Sequence, residues 1–358
     1  MDICFWVINE CNLCCKYCYV DKSKDIMTLD IAERAIKYII PFLKDNEANN
    51  IRFHGGEPLL NKEIIEYIIK ELYLQMGNKN MHFYLTTNGT IINGVDFIIA
   101  NAKISVSIDG TQYYNDLNRI YKNCEGTYSY VDKFIRMMKS KDIHFNIRMT
   151  IHPNNVEGFF QNFMHIYNKY KIIPSFAFDY GSDGWFNDNV ALFFKQLKNV
   201  ILYLYDNDPI GAFELVDNLN REYLSRRDYC TGGEKSIHIT PLGDLFPCYL
   251  SVGNPKYKIG NIYEGLDKKS VQKICLESKK PNSVCMGCGL ENNCKSRSCK
   301  IINEIYTGDP FKPSGVKCAY TRGIYNLIVE LQKNEKIKNE QINSMAAFRN
   351  IKDNHIKI

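Results

Sequence analysis

The stretch "NECNLCCKYCYV", Asn9 to Val20, places four cysteines within eight consecutive positions. It follows directly on "ICFWVI" (3–8), a run rich in β-branched and aromatic residues that predicts a strand. The chain of 358 residues carries fourteen cysteines, and no basic segment or small-residue cleavage site precedes the first strand. We therefore expect a cytoplasmic protein with reduced thiols. Thiols crowded into one loop of such a protein favour metal binding or catalysis.

The composition is that of an ordinary globular protein. Apolar residues make up 45% and aromatic residues 13% of the chain, whose length suggests two domains or one large barrel with an appendage. No apolar run approaches the ~18 residues that span a bilayer, so we expect no membrane partner. The formal charge of +5 is a mild excess without a basic block, so no nucleic-acid partner is expected either.

Segments with strand composition alternate with segments of helical period. The six strand-like segments are "ICFWVI", "IRFH" (51–54), "HFYLT" (82–86), "KISVSID" (103–109), "HFNIRMT" (144–150) and, more weakly, "SFAFDY" (175–180). Helical periodicity is clearest over 28–43, with Thr28 as the expected N-cap and an apolar face of Ile31, Ala35, Ile39 and Phe42. This alternation predicts an α/β fold whose parallel sheet curves into most of a barrel, with function in the loops at the carboxyl ends of the strands.

The sequence pattern changes after about residue 225, where short strand-like segments, turns and eight of the cysteines follow. The segments "SIHIT" (236–240) and "LFPCYL" (245–250) flank a tight turn and predict a β-hairpin. We expect a barrel domain over 1–225, a small cysteine-rich domain over 226–325, and a C-terminal helix or tail over 326–358.

Cys11, Cys15 and Cys18 have the spacing C-x3-C-x2-C on the loop after the first strand. Three thiolates suit three irons of a 4Fe-4S cube whose fourth iron stays open, and a zinc site is the alternative. The motifs "GGEP" (55–58), "TTNG" (86–89) and "SVSIDG" (105–110) stand at successive strand ends. With these motifs the chain resembles the radical S-adenosylmethionine (SAM) enzymes. That resemblance implies a partial (β/α)6 barrel of the TIM type, reductive cleavage of SAM, and abstraction of hydrogen from the substrate.

The resemblance also implies which residues contact SAM and which partner supplies electrons. The implied SAM-contacting residues are Glu57 at the amine, Gly55 and Gly56 where backbone approaches the ligand, Ser107 and Arg119 at the carboxylate or ribose, and Tyr17 near the adenine. The electron donor would be a flavodoxin or a ferredoxin. No residue is assigned a catalytic role of its own.

Seven later cysteines resemble the SPASM extension of radical SAM enzymes that modify peptides and proteins. By that resemblance one auxiliary 4Fe-4S cube would be held by Cys285, Cys288, Cys294 and Cys318, and another by Cys230, Cys248 and Cys299, which gives three cubes in the chain. Cys299 follows a gap of four residues where the usual gap is three, so it is the least secure ligand. An open iron or an oxygen ligand such as Asp228 is our hypothesis for the second auxiliary cube, and a pair of zinc sites is the alternative.

Three functions compete. We favour a maturase of ribosomally made peptides that installs a thioether or another crosslink. A sulfatase-maturing enzyme, which forms formylglycine, would use an Asp directly after the cysteine of "GDLFPC", where this chain has Tyr249. The third alternative is a zinc-stabilised binding module without catalysis. The expected partner is a precursor peptide. Because the first strand begins at Ile3, we expect the precursor peptide to be recognised through a separate leader-binding protein or by the barrel directly.

Overall fold

The computed structural model describes residues 1–44, 47–77, 80–223 and 229–333. Asp228 and the tail from residue 334 therefore lie outside the described residues. The described residues form two compact units, one from 1–150 with 231–275, the other from 151–230 with the chain after 275. The boundaries expected at 225 and 325 stay predictions.

The elements follow one another along the chain in the expected alternation. The strands are β1 (Asp2–Ile8), β2 (Asn49–Gly55), β3 (Met81–Thr87), β4 (Ala102–Ser107), β5 (Phe145–Ile151), β6 (Ser175–Phe178), β7 (Ser236–Ile239), β8 (Asp244–Phe246), β9 (Gly260–Asn261) and β10 (Gly265–Leu266). The helices are α1 (Leu29–Ile39), α2 (Lys62–Met76), α3 (Asp96–Asn101), α4 (Gln112–Asn118), α5 (Tyr128–Ser140), α6 (Phe159–Tyr170), α7 (Asn187–Asn207), α8 (Pro209–Tyr223), α9 (Lys268–Lys279), α10 (Lys295–Ser298), α11 (Lys300–Thr307) and α12 (Gly315–Lys333). All six predicted barrel strands are confirmed.

The sheet of the first unit has the order β10-β9-β8-β7-β1-β2-β3-β4-β5. Strands β1 to β5 are parallel, and Phe53 lies opposite Phe5 on one side and Leu85 on the other, all three buried. The predicted hairpin is confirmed as β7 and β8, and β7 continues the sheet as a parallel neighbour of β1. Since parallel strands end at one edge, the loops after β1, β2, β3 and β4 meet there.

Helix α1 forms as predicted, with a small change in its buried face. The Thr28 hydroxyl accepts a hydrogen bond from the Ile31 amide at 3.4 Å, which confirms the N-cap. Pro41 lacks an amide hydrogen, and the chain passes into a 3-10 turn at Ile40–Phe42. The buried residues are Ala32, Ala35, Ile36 and Ile39, whereas Ile31 and Phe42 are only partly buried, so their predicted positions on this face are wrong.

The second unit has an aromatic core between its helices and β6. Helices α7, α8 and α12 pack on one another, and Tyr320 of α12 is fully buried. Its ring centroid lies 4.1 Å from that of Phe178 and 5.9 Å from that of Phe193. Over the described ranges of the chain, no helix is both long and apolar enough to cross a membrane.

Candidate functional site

The GGEP turn, residues 55–58, packs directly against the start of the cysteine loop. A Cβ at Gly55 would lie 1.9 Å from the Ile8 carbonyl oxygen, and one at Gly56 would lie 2.2 Å from the Glu10 carbonyl oxygen. The Gly56 amide donates to the Ile8 carbonyl at 2.9 Å, and the Glu57 amide donates to that of Glu10 at 3.0 Å. Both glycines are therefore required where the two loops touch. Their approach to a bound ligand stays a prediction.

The segment after α4 holds the other side of the cysteine loop. The Cys14 amide donates to the Ile120 carbonyl at 2.7 Å, and the Lys16 amide donates to that of Asn118 at 3.0 Å. These backbone bonds depend on no side chain, so they fix the loop whatever residues occupy it. The loop is thus held between two neighbouring segments by backbone hydrogen bonds.

The three predicted ligand thiols of this loop lie near one another. Cys11 is buried, its sulfur accepts from the Leu13 amide at 3.3 Å, and burial raises the pKa of its thiol to about 11, with Glu57 and Cys15 adding to the increase. Burial also raises the pKa of Cys15, which is raised further by Cys18 and lowered by Arg119. Binding to a metal would overcome these increases, because a coordinated thiol is deprotonated.

The donor set fits an iron-sulfur cube. All fourteen cysteines lie in described residues and none forms a disulfide. Across the described part of the chain, no three Cys, His, Asp or Glu side chains are placed to hold one metal ion. Three cysteines on one short loop are a donor set that suits three irons of a 4Fe-4S cube.

A buried network of Arg119, Tyr17 and Asp109 lies beside the loop. The Arg119 Nη1 donates to the Tyr17 hydroxyl at 2.7 Å and lies 3.9 Å from Asp109 Oδ1. The Tyr17 hydroxyl donates to Asp109, which is fully buried and accepts from the Thr150 amide at 2.8 Å. Burial opposes the charge on Arg119, yet its pKa is raised because Tyr17, Cys15 and Asp109 surround it.

Arg119 keeps one donor unused. Its side chain is 7% exposed, and its buried Nε has no hydrogen-bond partner. A buried donor without a partner is costly, and a carboxylate is the group that a guanidinium binds best. The site therefore fits the predicted contact to the SAM carboxylate. Ser107, the last residue of β4, is buried opposite Arg148 of β5. The SAM contacts of Arg119, Ser107 and Tyr17 stay predictions.

Glu57 joins two strand-end loops. Its carboxylate is 1% exposed and accepts from the Leu59 amide at 3.1 Å, the Thr87 hydroxyl at 2.8 Å and the Asn88 amide at 2.7 Å. Burial raises its pKa to about 7, while these three donors and Arg119 oppose the increase. The carboxylate thus fixes the GGEP turn to the TTNG loop, and its pairing with the SAM amine stays a prediction.

A row of rings continues from the loop across the end of the sheet. The Gly55 amide donates to His54 Nδ1 at 2.8 Å, so the neutral ring carries its hydrogen on Nε2, which lies 3.1 Å from the Tyr19 hydroxyl. Burial lowers the pKa of His54 to about 4 and keeps it neutral. The Tyr19 ring stands edge-on to Tyr249, with centroids 5.6 Å apart. Tyr249 is half exposed, at the position where a sulfatase-maturing enzyme would have its Asp.

Four of the later cysteines form a second group of thiols. Burial raises the pKa of Cys318, and Cys294, Cys285 and Cys288 raise it further, so the four sulfurs act on one another. Burial lowers the pKa of the neighbouring Lys300. Among the groups that raise this pKa, Cys285 has the largest effect. Four mutually close thiols are the donor set that a fully ligated cube requires.

The remaining predicted ligands divide between the two units. Cys248 belongs to the first unit, where its amide lies 3.3 Å from the Ser251 hydroxyl. Cys230 and Cys299 belong to the second, where the Cys230 amide donates to the Ser278 hydroxyl at 2.8 Å. Their grouping around one cube stays a prediction. Among the thiols left outside the ligand set, Cys4 and Cys275 are buried, whereas Cys14 and Cys124 are exposed.

Sequence reasoning missed three contributors to the site. Asp109 and Asn88 stood in quoted motifs without a role. Asn88 directly follows β3 and Asp109 lies two residues after β4, so position at a strand end was the available signal. Asn88 Nδ2 lies 2.9 Å from Asn12 Oδ1 and 3.8 Å from the Cys11 sulfur. His54 precedes the GGEP turn, and its contact with Tyr19 had no sequence signal.

Two family models match the chain, one across Cys11, Cys15 and Cys18 and the other across Cys230, Cys248, Cys285 and Cys288. A family model described as the radical SAM superfamily matches residues 7–165. A second, SPASM, described as an iron-sulfur cluster-binding domain, matches residues 230–289.

Curated relatives cover most of the chain. An uncharacterized protein of Methanocaldococcus jannaschii is 33% identical over 258 residues, which are 68% of this chain and 82% of that protein. A cysteine-type anaerobic sulfatase-maturating enzyme of Clostridium perfringens is 27% identical over 83% of this chain and 88% of its own. The antilisterial bacteriocin subtilosin biosynthesis protein AlbA of Bacillus subtilis is 24% identical over 81% and 68%.

Solved structures share the fold. Native anSMEcpe with bound AdoMet and Cp18Cys peptide superposes with a TM-score of 0.76 at 21% identity, over 92% of this chain and 96% of that one. Streptococcus suis SuiB bound to precursor peptide SuiA superposes with a TM-score of 0.64 at 15% identity, over 88% and 75%. The predicted partial barrel with a cysteine-rich extension is confirmed as the fold.

Proposed function

We propose, since the chain belongs to the radical SAM superfamily and carries a SPASM iron-sulfur domain, that it is a peptide maturase. It would take a hydrogen atom from a residue of a ribosomally made peptide and install a thioether or another crosslink. The observation that carries the proposal is the meeting of three free thiols with a buried guanidinium that has an unused donor. Membership of this superfamily makes the chain an enzyme rather than a zinc-stabilised binding module.

The cofactors would be SAM and three 4Fe-4S cubes, which when bound supply the electron and the hydrogen-abstracting radical. Cys11, Cys15 and Cys18 would hold one cube, and the Arg119 Nε would bind the SAM carboxylate. The clamped loop would keep these groups in fixed positions relative to the substrate, so that the reacting atoms meet at near-attack distance. The chain's own contribution is therefore position and exclusion of water.

The later cysteines would hold the auxiliary cubes. One cube would be held by Cys285, Cys288, Cys294 and Cys318. The first three raise the pKa of Cys318, which supports the four as one set. Cys230, Cys248 and Cys299 would serve the other cube.

A peptide substrate is supported by relatives whose names refer to peptides. AlbA takes part in subtilosin biosynthesis, and SuiB was solved with the precursor peptide SuiA. A flavodoxin or ferredoxin would supply electrons. A separate leader-binding protein, or the barrel itself, would recognise the precursor. Capture of the precursor by the purified chain alone would decide for the barrel.

A sulfatase-maturing function is the second candidate, because several relatives carry that name. Its proposed base is absent, since Tyr249 replaces the Asp. A phenol has an ordinary pKa of about 10, so at neutral pH it is almost entirely protonated. A carboxylate is ionised at that pH and can accept a proton. We therefore rank this function below crosslink formation.

The deciding experiment incubates the reconstituted enzyme anaerobically with SAM, a reductant and the peptides encoded beside its gene, followed by mass analysis. Loss of two hydrogens with all sulfur retained and no aldehyde signifies a crosslink. An aldehyde that reacts with a hydrazide signifies formylglycine. Deoxyadenosine released while every peptide stays unchanged would count against both.

A further inference from the structure

A buried ammonium lies next to the second group of thiols. Lys300, at the start of α11, is 5% exposed. Its Nζ donates to the Lys280 carbonyl at 2.9 Å and to the Asn282 side-chain oxygen, and it stands 4.5 Å from the centroid of the Phe311 ring. These three partners are neutral. A buried charge whose hydrogen-bond partners are all neutral is costly, and the groups that favour the charge on Lys300 are the Cys285 thiol and, more weakly, the carboxylates of Asp309 and Glu277.

Asn282 connects this ammonium to a predicted cluster ligand. Its side chain is fully buried and its oxygen is bound to Lys300, which leaves the amide nitrogen pointing away from the ammonium. That nitrogen lies 3.7 Å from the Cys285 sulfur and 3.3 Å from the Arg297 carbonyl oxygen. The Cys285 amide donates back to the Asn282 backbone carbonyl at 2.9 Å, which fixes the two residues relative to each other. A cation on the amide oxygen polarises the N–H toward the sulfur.

We propose that Lys300 and Asn282 raise the reduction potential of the auxiliary cube bound by Cys285. The inference depends on the proposed function, because it takes Cys285 as a ligand. A cube with four thiolates is anionic and gains one more negative charge when it accepts an electron. A buried cation and an N–H···S hydrogen bond both favour the more negative state, and hydrogen bonds to sulfur are among the features that set cluster potentials. Lys300 acts through Asn282 and is a positioning residue.

The test is a potentiometric titration of the full reconstituted chain, with each reduced cube followed by electron paramagnetic resonance. Lys300→Met removes the charge and keeps a long apolar side chain. We expect one of the three midpoints to become more negative, with a reduction equilibrium about tenfold less favourable, which is about 59 mV for one electron. Asn282→Asp keeps the shape but replaces the N–H donor by an acceptor, so the same midpoint should fall. Lys312→Met, which removes an exposed charge of the same unit, should leave all midpoints unchanged.

Unchanged midpoints in Lys300→Met and Asn282→Asp, with iron content equal to that of the unsubstituted chain, would overturn the proposal. Loss of about four irons from Lys300→Met would overturn it too, because the ammonium would then be needed for cluster binding. The proposed function is tested separately on the unsubstituted chain. Fewer than about twelve irons, or no cleavage of SAM, would count against that function before any variant is compared.

Discussion

At the residue scale the site depends on a few buried polar groups with nearly complete hydrogen bonding. Glu57 and Asp109 are surrounded by donors, whereas Arg119 keeps its Nε free. Buried polar groups are almost always paired in proteins, so an exception beside a set of thiols indicates a place for a ligand.

Arg119→Lys should weaken SAM binding about tenfold, which corresponds to about 1.4 kcal/mol. Lysine keeps the charge but cannot offer the planar fork of donors that a carboxylate binds. Equilibrium binding of SAM to the reconstituted protein measures the effect. Arg136→Lys is the control, because Arg136 is 71% exposed and pairs with Asp132 at 2.8 Å. Equal affinities of Arg119→Lys and the unsubstituted protein would contradict the proposed carboxylate contact.

His54 and His238 should make the protein less stable as the pH falls. Burial lowers the pKa of His54 to about 4 and that of His238 to about 3, from the usual 6.5. Below pH 6.5 the unfolded chain takes up protons that the folded chain does not, so the free energy of unfolding decreases. At pH 5.5 each histidine accounts for about 1.4 kcal/mol of this loss.

Anaerobic thermal unfolding between pH 7.5 and 5.5 measures this loss. The double variant His54→Gln, His238→Gln should lose less stability over that range than the unsubstituted protein. His144→Gln, which changes an exposed histidine, should behave like the unsubstituted protein. Identical pH dependence of all three would show that the two buried rings are not the cause.

At the scale of elements, the edge of the parallel sheet assembles the site through loop-to-loop contacts. The cysteine loop follows β1, the GGEP turn follows β2, and the two are joined through backbone atoms. A loop held by backbone bonds tolerates side-chain changes but not added volume at the contact. Gly56 is one of the two positions at this contact where a Cβ would meet backbone atoms.

Gly56→Ala should abolish the cube of the cysteine loop. Its Cβ would meet the Glu10 and Asn9 carbonyl oxygens at 2.2 and 2.6 Å, so the loop must move away. We expect about four fewer irons per chain and at least a hundredfold slower deoxyadenosine formation. Gly315→Ala is the control, since a Cβ there meets nothing within 4 Å. Full iron content in Gly56→Ala would show that the contact is dispensable.

At the scale of the whole molecule, metal binding and folding should be coupled in the second unit. Four of its thiols lie together between short helices, α10 and α11, and the start of α12. Their raised pKa keeps Cys285 and Cys318 protonated until a metal binds, and metal ligation then adds its binding free energy to the free energy of folding.

Cys288→Ser should therefore lower the midpoint of thermal unfolding by roughly 4 °C, the effect of about 3 kcal/mol in a chain of 358 residues. Hydrogen exchange over 283–299 should become faster at the same time. Cys124→Ser, an exposed thiol outside the proposed ligand set, is the matched control and should keep its midpoint. Equal midpoints for the two variants would remove Cys288 from the proposed ligands.

The strand and helix alternation, the loop that bears Cys11, Cys15 and Cys18, and the hairpin of β7 and β8 could all be predicted from the amino-acid sequence. These features are local, because apolar periodicity and turn residues act over a few neighbours. The contact of Gly55 and Gly56 with the cysteine loop, in contrast, is seen only in the folded chain. The binding of Glu57 to the TTNG loop is also seen only there. Such contacts join residues distant in the chain, and no local pattern records which strand ends become neighbours or which donor stays without a partner.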